Sequence, residues 1–212
     1  MDQTTTHARL LAAAEGAFLR NGYGGANMGE IARQAGISKK TIYKLVASKA
    51  DLFSAVVSNA IALERLTRHL GDVQDGDIAG PLRAFLTAYA KLSLSPRGTQ
   101  ADKLVTAEAH RFPELAKAYA ESVEAAATQP LIAWLGRQAD AGYIAVACPD
   151  RAARMLAAMV ILDPLKSLML GQHSQFEGED IERMVDEALS IFLRGVLTRP
   201  DSRITAASAE ER

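Results

Sequence analysis

A lysine-rich stretch, GISKKTIYKLVASKADLF (residues 36–53), carries the residue types and spacing that suggest chemistry. Ser38 precedes one short polar segment of this stretch, and Ser48 precedes the next. Serine is a favoured N-cap residue because its oxygen accepts a hydrogen bond from a free N–H group of the first helical turn. The stretch is therefore predicted to hold a helix of barely two turns, from Lys39 to about Leu45, followed by the start of a longer helix.

The predicted two-turn helix has one apolar side and one polar side. Ile42, Leu45 and Val46 are assigned to the inner side. The outer side then holds three lysines and two hydroxyl residues: Lys39, Lys40, Thr41, Tyr43 and Lys44. Ammonium groups bind phosphates and guanine acceptors, a threonine methyl can contact a thymine methyl, and a tyrosine hydroxyl suits a phosphate. The combination predicts a DNA-reading face, while for any single lysine a solvated surface explains the charge equally well.

A second short helix is predicted immediately upstream. Asn27 stands three residues before Glu30 as a capping pair, and a glycine, Gly36, ends the segment. Its inner face would hold Ile31, Ala32 and Ala35. Two helices joined by a tight glycine turn form a helix-turn-helix, in which the second helix enters the major groove of DNA. Lys49, in the first turn of the following helix, is predicted to bind a DNA phosphate, because free N–H groups and the helix dipole favour an anion there.

Charge is distributed unevenly along the chain. The 212 residues carry a net charge of −1, and 49% of them are hydrophobic, which is enough for a globular core. Residues 1–58 hold seven Lys/Arg against four Asp/Glu, so this part has a charge of +3, while the remainder has −4. The overall balance predicts no general affinity for nucleic acid, and the positive charge is local.

Several classes of protein are disfavoured by composition. One cysteine, Cys148, excludes an intramolecular disulfide framework, and the N-terminus has no apolar signal core. We therefore expect a cytoplasmic, reduced environment and no membrane segment. The four histidines lie too far apart for metal-ligand spacing, so no metal and no cofactor are expected. Cys148 precedes a predicted helix start, which leaves both an inert thiol and a redox sensor open.

Nearly every periodic segment has the helical spacing i, i+3, i+4, i+7, so the chain is predicted to be all-α. The first helix is expected to begin at the Thr4–Thr6 cap cluster and to end at Asn21-Gly22. Pro81 suits the first turn of a later helix, and Pro130 is expected to kink a long one. The last two helices are predicted from Pro149 and from Glu179 to Leu197.

The run FLRNGYGGANMGEIARQAGISKKTIYKLVASKADLF (residues 18–53) resembles the DNA-binding domain of the TetR/AcrR family of bacterial transcriptional regulators. The matching positions are Phe18, Gly22-Tyr23, Ile31-Ala32, Ala35-Gly36, Ser38-Lys39, Thr41, Tyr43, Ser48-Lys49 and Leu52-Phe53. The run AEAHRFPELAKAY (residues 107–119) is similar to the subgroup with AefR-like C-terminal domains.

This resemblance implies a fold of about nine helices, binding to a double-stranded DNA operator, a small-molecule effector and a homodimer. The DNA-binding residues it implies, together with those deduced above, are Asn27, Met28, Ser38, Lys39, Lys40, Thr41, Tyr43, Lys44 and Lys49. Two positions depart from the family pattern: Leu45 replaces a histidine that often contacts phosphate, and Gly29 replaces a polar residue. We therefore expect Asn27 and Met28 to act through main-chain groups only.

The expected organisation has three parts. Residues 1–48 form a three-helix DNA-binding domain, residues 49–200 form an effector-binding and dimerisation domain, and residues 201–212 form a frayed tail. The resemblance implies that the effector binds among the middle helices and that the fourth helix transmits the change to the DNA-binding domains.

Candidate effector contacts combine aromatic, flexible and carboxylate side chains, although core packing explains most of them as well. They are Phe85, Tyr89, Leu104, Glu108, Phe112, Tyr119, Trp134, Met155, Met159 and Asp163. Asp163 lies within an apolar run, so it is expected to pair with Lys166, to pair across a dimer or to face the ligand.

The dimer interface is predicted on the last two helices, whose apolar faces are wider than one helix needs. Its residues are Leu165, Met169, Ile181, Met184, Val185, Ala188, Leu189 and Phe192. The leading hypothesis is a ligand-responsive dimeric repressor and not an enzyme, since no phosphate loop or nucleophile elbow occurs. The alternative is a small-molecule-binding helical protein with weak or no DNA binding.

Overall fold

The computed structural model describes residues 3–61, 66–71, 73 and 76–197. In chain order the elements are α1 (Gln3–Gly25), α2 (Met28–Gln34), α3 (Lys39–Leu45), α4 (Lys49–Ile61), α5 (Ala79–Ser93), α6 (Pro96–Glu108), α7 (Pro113–Val123), a π-helical segment (Glu124–Thr128), α8 (Gln129–Asp140), α9 (Pro149–Met169) and α10 (Gly178–Val196). Because α7, the π segment and α8 follow without a break, these elements make nine helices, as expected. Within the described ranges, β-structure is limited to one isolated bridge, between Ile144 and Leu197.

The helix ends agree with the capping residues in the sequence. Asn27 caps α2, Ser38 caps α3, and the Ser48 hydroxyl accepts a hydrogen bond from the Asp51 N–H group at 3.0 Å. α1 continues to Gly25, beyond its predicted end, but Gly22 has a φ of 71° and interrupts the helical backbone at the predicted place. The predicted tail at 201–212 lies outside the described residues.

Pro130 lies two residues after the π-helical segment, in the first turn of α8. Proline lacks an N–H group, and its ring displaces the carbonyl four residues earlier, so a helix before proline must widen or bend. The irregularity expected at Pro130 therefore takes the form of the π segment at Glu124–Thr128.

Two hydrophobic clusters form the interior. The first joins α1 to α4 and also includes Val105 of α6 and Leu115 of α7. The second joins α5, α8, α9 and α10 around Trp134, whose indole Nε1–H donates to the Gly71 carbonyl at 2.9 Å. α4 packs most extensively against α7, and the Ser54 and Ser122 hydroxyls hydrogen-bond across this contact at 2.9 Å. The ends of α6 and α7 thus pack on the N-terminal helices, while the predicted domain division at 48/49 stays a prediction.

Candidate nucleic-acid interface and ligand cavity

The turn between α2 and α3 is fixed by a glycine and two caps. Asn27 Oδ1 accepts the Gly29 N–H at 2.8 Å, and Ser38 Oγ accepts the Thr41 N–H at 3.0 Å. Gly36 has a φ of 68°, a left-handed backbone conformation that favours glycine because glycine has no Cβ atom. Ile31 of α2 and Ile42 of α3 are fully buried against each other's helix and α1. This packing holds α3 at one orientation.

The outer face of α3 is basic and exposed. Lys39, Lys40 and Lys44 are exposed, and half of Tyr43 is exposed. α3 has no acidic residue, and among the described residues no ion pair involves these lysines. The Thr41 hydroxyl lies 2.8 Å from Ser38 Oγ, so one of its hydrogen bonds is made within the helix start. The face that the sequence predicts is therefore presented to solvent as a contiguous basic surface.

Two further predicted DNA contacts, Asn27 and Met28, lie at the start of α2. The Met28 side chain is buried, and the Asn27 side chain is engaged in its cap. The cap uses only Asn27 Oδ1, so the exposed Asn27 amide nitrogen keeps its donors, while the side chain of Met28 is withdrawn from the surface. The expectation that both residues act through main-chain groups stays a prediction.

The prediction for the Lys49 side chain is corrected by the structure. Its ammonium donates to the carbonyl oxygens of Tyr23 at 2.7 Å, Ala26 at 3.3 Å and Gly24 at 3.4 Å. It also lies 4.6 Å from the centre of the Tyr23 ring. The end of α1 presents carbonyl groups and a partial negative charge, which attract a cation more strongly than solvent does. Lys49 therefore joins α4 to the end of α1 and does not extend toward a phosphate.

Leu45 also differs from its prediction, because 44% of it is exposed. α3 ends at this residue, and the extended backbone of Val46, with φ −139° and ψ 139°, turns the Val46 side chain inward in its place. An apolar side chain thus lies on the outer surface next to Lys44, at the position of the family's phosphate-binding histidine.

A cavity of about 400 Å³ lies where α1 and α4 meet α5, α6, α7 and α9. Its wall is mostly apolar and includes Phe18, Phe53, Val56, Val57, Leu92, Leu104, Val123, Ile161 and Leu165. Its polar and charged residues are Glu15, Tyr89, Ser93, Arg97, Asp102, Tyr119, Glu124, Thr128 and Arg154. The volume is within the range of small-molecule sites.

Three of the ten predicted effector contacts line this cavity: Tyr89, Leu104 and Tyr119. Seven do not. Phe85 and Trp134 are fully buried in the second cluster. Met155, Met159 and Asp163 are exposed on α9, because they occupy the side of that helix opposite its buried stripe.

The remaining two predicted effector contacts, Glu108 and Phe112, contact the end of α1 instead. Glu108 accepts the backbone N–H groups of Tyr23 at 2.7 Å and Gly24 at 2.8 Å. The Phe112 ring packs edge-to-face on Tyr23, with 5.3 Å between ring centres. Gly22 lies beside them, and its φ of 71°, in the left-handed region, favours glycine at this position. We call these contacts the α1–α6 latch.

The polar side of the cavity is organised by Asp102. The Tyr119 hydroxyl donates to Asp102 Oδ1 at 2.8 Å. Burial raises the pKa of the Asp102 carboxyl, an effect opposed by this hydrogen bond. Burial also raises the pKa of Tyr119 and of Tyr89, and the Asp102 charge adds to it in both phenols. Sequence reasoning missed Asp102, although its position four residues after Gly98 and three before Val105 places an acid on the buried stripe of α6.

Both cations of the cavity wall already have carboxylate partners. Arg97 of α6 pairs with Glu15 of α1. Arg154 of α9 donates two hydrogen bonds to Glu124, at 2.7 and 2.9 Å. These hydrogen bonds raise the pKa of the arginine and lower that of Glu124.

The predicted dimer residues face the protomer's own interior. Ile181, Val185, Ala188 and Leu189 are buried, because α10 applies its apolar stripe to α5 and α9. Met184, Phe192 and Leu165 are half-buried against the same cluster, and Met169 is half-buried. Other apolar residues point outward instead: Met155, Met159, Leu162 and Leu170 at the α9 side and Ile191 on α10. We call these five residues the outer apolar face.

The described residues contain no His/Cys/Asp/Glu group suited to a metal, and none of their helices is long and apolar enough to span a bilayer. Cys148 is exposed at the start of α9.

Comparison with known proteins identifies the family. The family model for bacterial regulatory proteins of the TetR family matches residues 10–56, and the model for the C-terminal domain of AefR-like transcriptional repressors matches residues 80–195. The chain belongs to the TetR family. The second match covers more than half of the sequence and agrees with the similarity seen at residues 107–119.

Solved structures of TetR-family proteins share the fold over nearly their whole length. A protein from Mesorhizobium loti assigned to the family is 25% identical, with a TM-score of 0.77 over 93% of this chain and 100% of that one. The flavonoid-responsive regulator FrrA is 27% identical, with a TM-score of 0.72 over 92% and 98%. FadR from Bacillus subtilis, solved with stearoyl-CoA, is 19% identical, with a TM-score of 0.65 over 89% and 98%. None of the curated protein sequences matches significantly. These TetR-family relatives are transcriptional regulators and not enzymes.

Proposed function

We propose that this TetR-family protein is a homodimeric repressor that binds a palindromic operator through α3 and is released by a small apolar or aromatic ligand. The observation that carries the proposal is the exposed basic face of α3, held by a capped and tightly packed helix-turn-helix. An ordinary solvated surface needs neither the fixed turn at Gly36 nor the absence of acids beside three lysines. Base contacts would come from Thr41 and Lys44, and phosphate contacts from Lys39, Lys40 and Tyr43.

The ligand site is proposed to be the cavity above α4. Seven wall residues belong to α1 or α4, among them Phe18 of α1 and Phe53 of α4. A ligand that enters must therefore contact both α1 and α4. Ligands shift an equilibrium only by binding one conformation better than another, and a site between two packed units can do so. FrrA, a relative named for its flavonoid response, supports an aromatic ligand as a class.

A salt titration of DNA binding tests the regulator proposal. Purified protein is bound to the region upstream of its own gene and to random DNA of equal length, at four salt concentrations. We expect tighter binding to the upstream fragment by at least about a thousandfold, with a steep dependence on salt. Lys40→Ala should reduce the slope of log K against log salt by about 0.9, because one phosphate contact is lost.

Lys103→Ala is the matched control, since Lys103 is exposed on α6 and far in sequence from α3. Its slope should equal that of the wild type. Equal affinity for both fragments would contradict the proposal and favour the alternative, a small-molecule-binding protein without specific DNA binding. The apolar Leu45 and the inward Lys49 are the observations that keep this alternative in view.

A further inference from the structure

The cavity has one carboxyl group that no cation neutralises among the described residues. Its wall contains three carboxylates and two arginines. Glu15 pairs with Arg97, and Glu124 pairs with Arg154. Among the described residues, the Tyr119 hydroxyl is the one hydrogen-bond partner of Asp102. The described part of the wall thus offers an anionic ligand no free cation and places an unpaired acid beside it.

Asp102 has unused capacity to accept hydrogen bonds. A carboxylate has about four lone-pair positions, and Tyr119 occupies one of them, on Oδ1. Burial disfavours the charged form, and hydrogen bonds from donors would compensate for the water that burial removes. Within the wall, Tyr119 already donates to Oδ1, and among the described residues no hydrogen bond joins the Tyr89 hydroxyl to Asp102. A ligand donor is the group that fits.

The rest of the cavity wall favours a flat, uncharged ligand. Phe18 and Phe53 meet edge-to-face at 5.3 Å between ring centres, and both line the cavity together with aliphatic side chains of α4 and α9. Aromatic rings prefer such surroundings. A charged amine could also donate to Asp102, but it would lose its hydration against this apolar wall, which is costly.

We propose that the cavity selects uncharged aromatic ligands that carry a hydroxyl group, and that Asp102 is the specificity residue that accepts the hydrogen bond from this hydroxyl. The inference rests on the proposed ligand site and names the class of ligand that the site takes. Anionic acyl compounds are discriminated against, because both arginines of the wall are already paired.

A series of biphenyl probes separates these classes. Binding to the DNA-free, full-length protein is measured by titration calorimetry with 4-phenylphenol, 4-methoxybiphenyl, biphenyl-4-carboxylate and biphenyl-4-methanamine. The scaffold is constant, so differences report the para group. We expect the phenol to bind at least about tenfold more tightly than each of the other three, the size of effect that one hydrogen bond to a charged group provides.

Substitution of Asp102 assigns the preference to this residue. Asp102→Leu should bring the phenol-to-ether affinity ratio to about one while leaving the affinity of the ether within about twofold. Lys103→Ala, the neighbouring exposed residue on α6, should keep the wild-type ratio. Should Asp102→Leu fail to fold, as judged by circular dichroism, Tyr119→Phe provides the second test. Either Asp102 oxygen is then free to accept the ligand hydroxyl, so the ratio should stay at tenfold or rise.

Four results would overturn the inference: a ratio near one in the wild type, tighter binding of the carboxylate, tighter binding of the amine, or no binding of any probe. A ratio that collapses in Tyr119→Phe would also overturn it. Operator affinity without ligand is measured separately, as above. If the phenol preference is absent while specific operator binding is intact, the ligand inference fails and the repressor proposal holds. If specific operator binding is absent while the phenol preference is intact, the repressor proposal fails and the ligand inference holds.

Discussion

At the scale of single residues, Lys49 shows how the same charge can serve two purposes. From its place in the first turn of α4, a lysine is expected to face an anion. In the folded chain its ammonium meets three carbonyl groups between Tyr23 and Ala26 and the face of the Tyr23 ring. If Lys49 turned outward, these carbonyl groups at the end of α1 would lose their charged donor. We conclude that Lys49 stabilises the helix-turn-helix from within.

Replacing Lys49 by methionine tests this role. Lys49→Met keeps the length of the side chain and removes the donor, so the free energy of unfolding should fall by about 1–3 kcal/mol, the usual cost of an unmade hydrogen bond from a charged group. The salt slope of DNA binding should not change. Both quantities are measured, by urea denaturation and by the salt titration.

Lys44→Met is the matched control, because Lys44 is exposed at the end of α3. There we expect the opposite pattern, with stability unchanged and the salt slope or sequence preference altered. If Lys49→Met lowers the salt slope by about one and leaves stability intact, Lys49 contacts phosphate after all and our correction is wrong.

At the scale of helices, α6 connects the cavity to the DNA-binding part. Asp102 and Leu104 line the cavity, and Glu108 lies one turn beyond Leu104 on the same face. Glu108 holds the Tyr23 and Gly24 N–H groups directly after the backbone break at Gly22. Since Asp102 and Glu108 belong to the same helix, we propose that a displacement at Asp102 moves the α1–α6 latch. This path would complement the one through α4 that the family resemblance implies.

Glu108→Ala should uncouple the ligand from DNA. The two N–H groups lose their acceptors, and we expect the ligand-induced fall in operator affinity, measured with 4-phenylphenol, to shrink by at least about fivefold. The affinity of the phenol itself should change by less than about twofold, since Glu108 does not line the cavity. Operator binding is followed by fluorescence anisotropy with and without ligand.

Glu121→Ala removes an exposed acid of α7 and serves as the control, with coupling expected to remain as in the wild type. A Glu108→Ala protein that is less stable but fully coupled would show that the latch only holds the fold together.

At the scale of the whole molecule, the five residues of the outer apolar face are exposed to solvent in the single chain. Leu162, Leu170 and Ile191 are each more than 60% exposed, and Met155 and Met159 lie along the same side of α9 as Leu162. Several large apolar side chains exposed on one side of a helix are typical of an interaction site. TetR-family regulators usually act as dimers, so a second copy of this chain is the partner that we propose for it.

Leu162→Glu should therefore dissociate the dimer. Because a twofold interface presents the same patch twice, each dimer would bury two such carboxylates among apolar side chains, which is costly. We expect sedimentation velocity at micromolar concentration to show a monomer, and operator affinity to fall because two half-sites must be bound together. Lys117→Glu, a charge change at an exposed position of α7, should leave the sedimentation coefficient unchanged. A dimeric Leu162→Glu protein would place the interface elsewhere.

Much of the fold and part of the site could be predicted from local sequence. Asn27, Ser38 and Ser48 act on N–H groups within three residues of themselves, so the type of residue is enough to place the starts of α2, α3 and α4. The basic outer face of α3 follows from the helical period, and the TetR resemblance follows from residues 18–53. These features depend on neighbours along the chain.

Only the tertiary structure decided which groups meet across helices. Glu108 and Tyr23 are 85 residues apart, and Asp102 reaches Tyr119 from another helix, so no local pattern brings them together. The apolar stripe of α10 has the same appearance whether its own chain or a second copy covers it, and here its own chain does. Helical periodicity determines that a face is buried. The packing of distant helices determines what buries it, because the hydrophobic effect depends on the area covered and not on the identity of the partner.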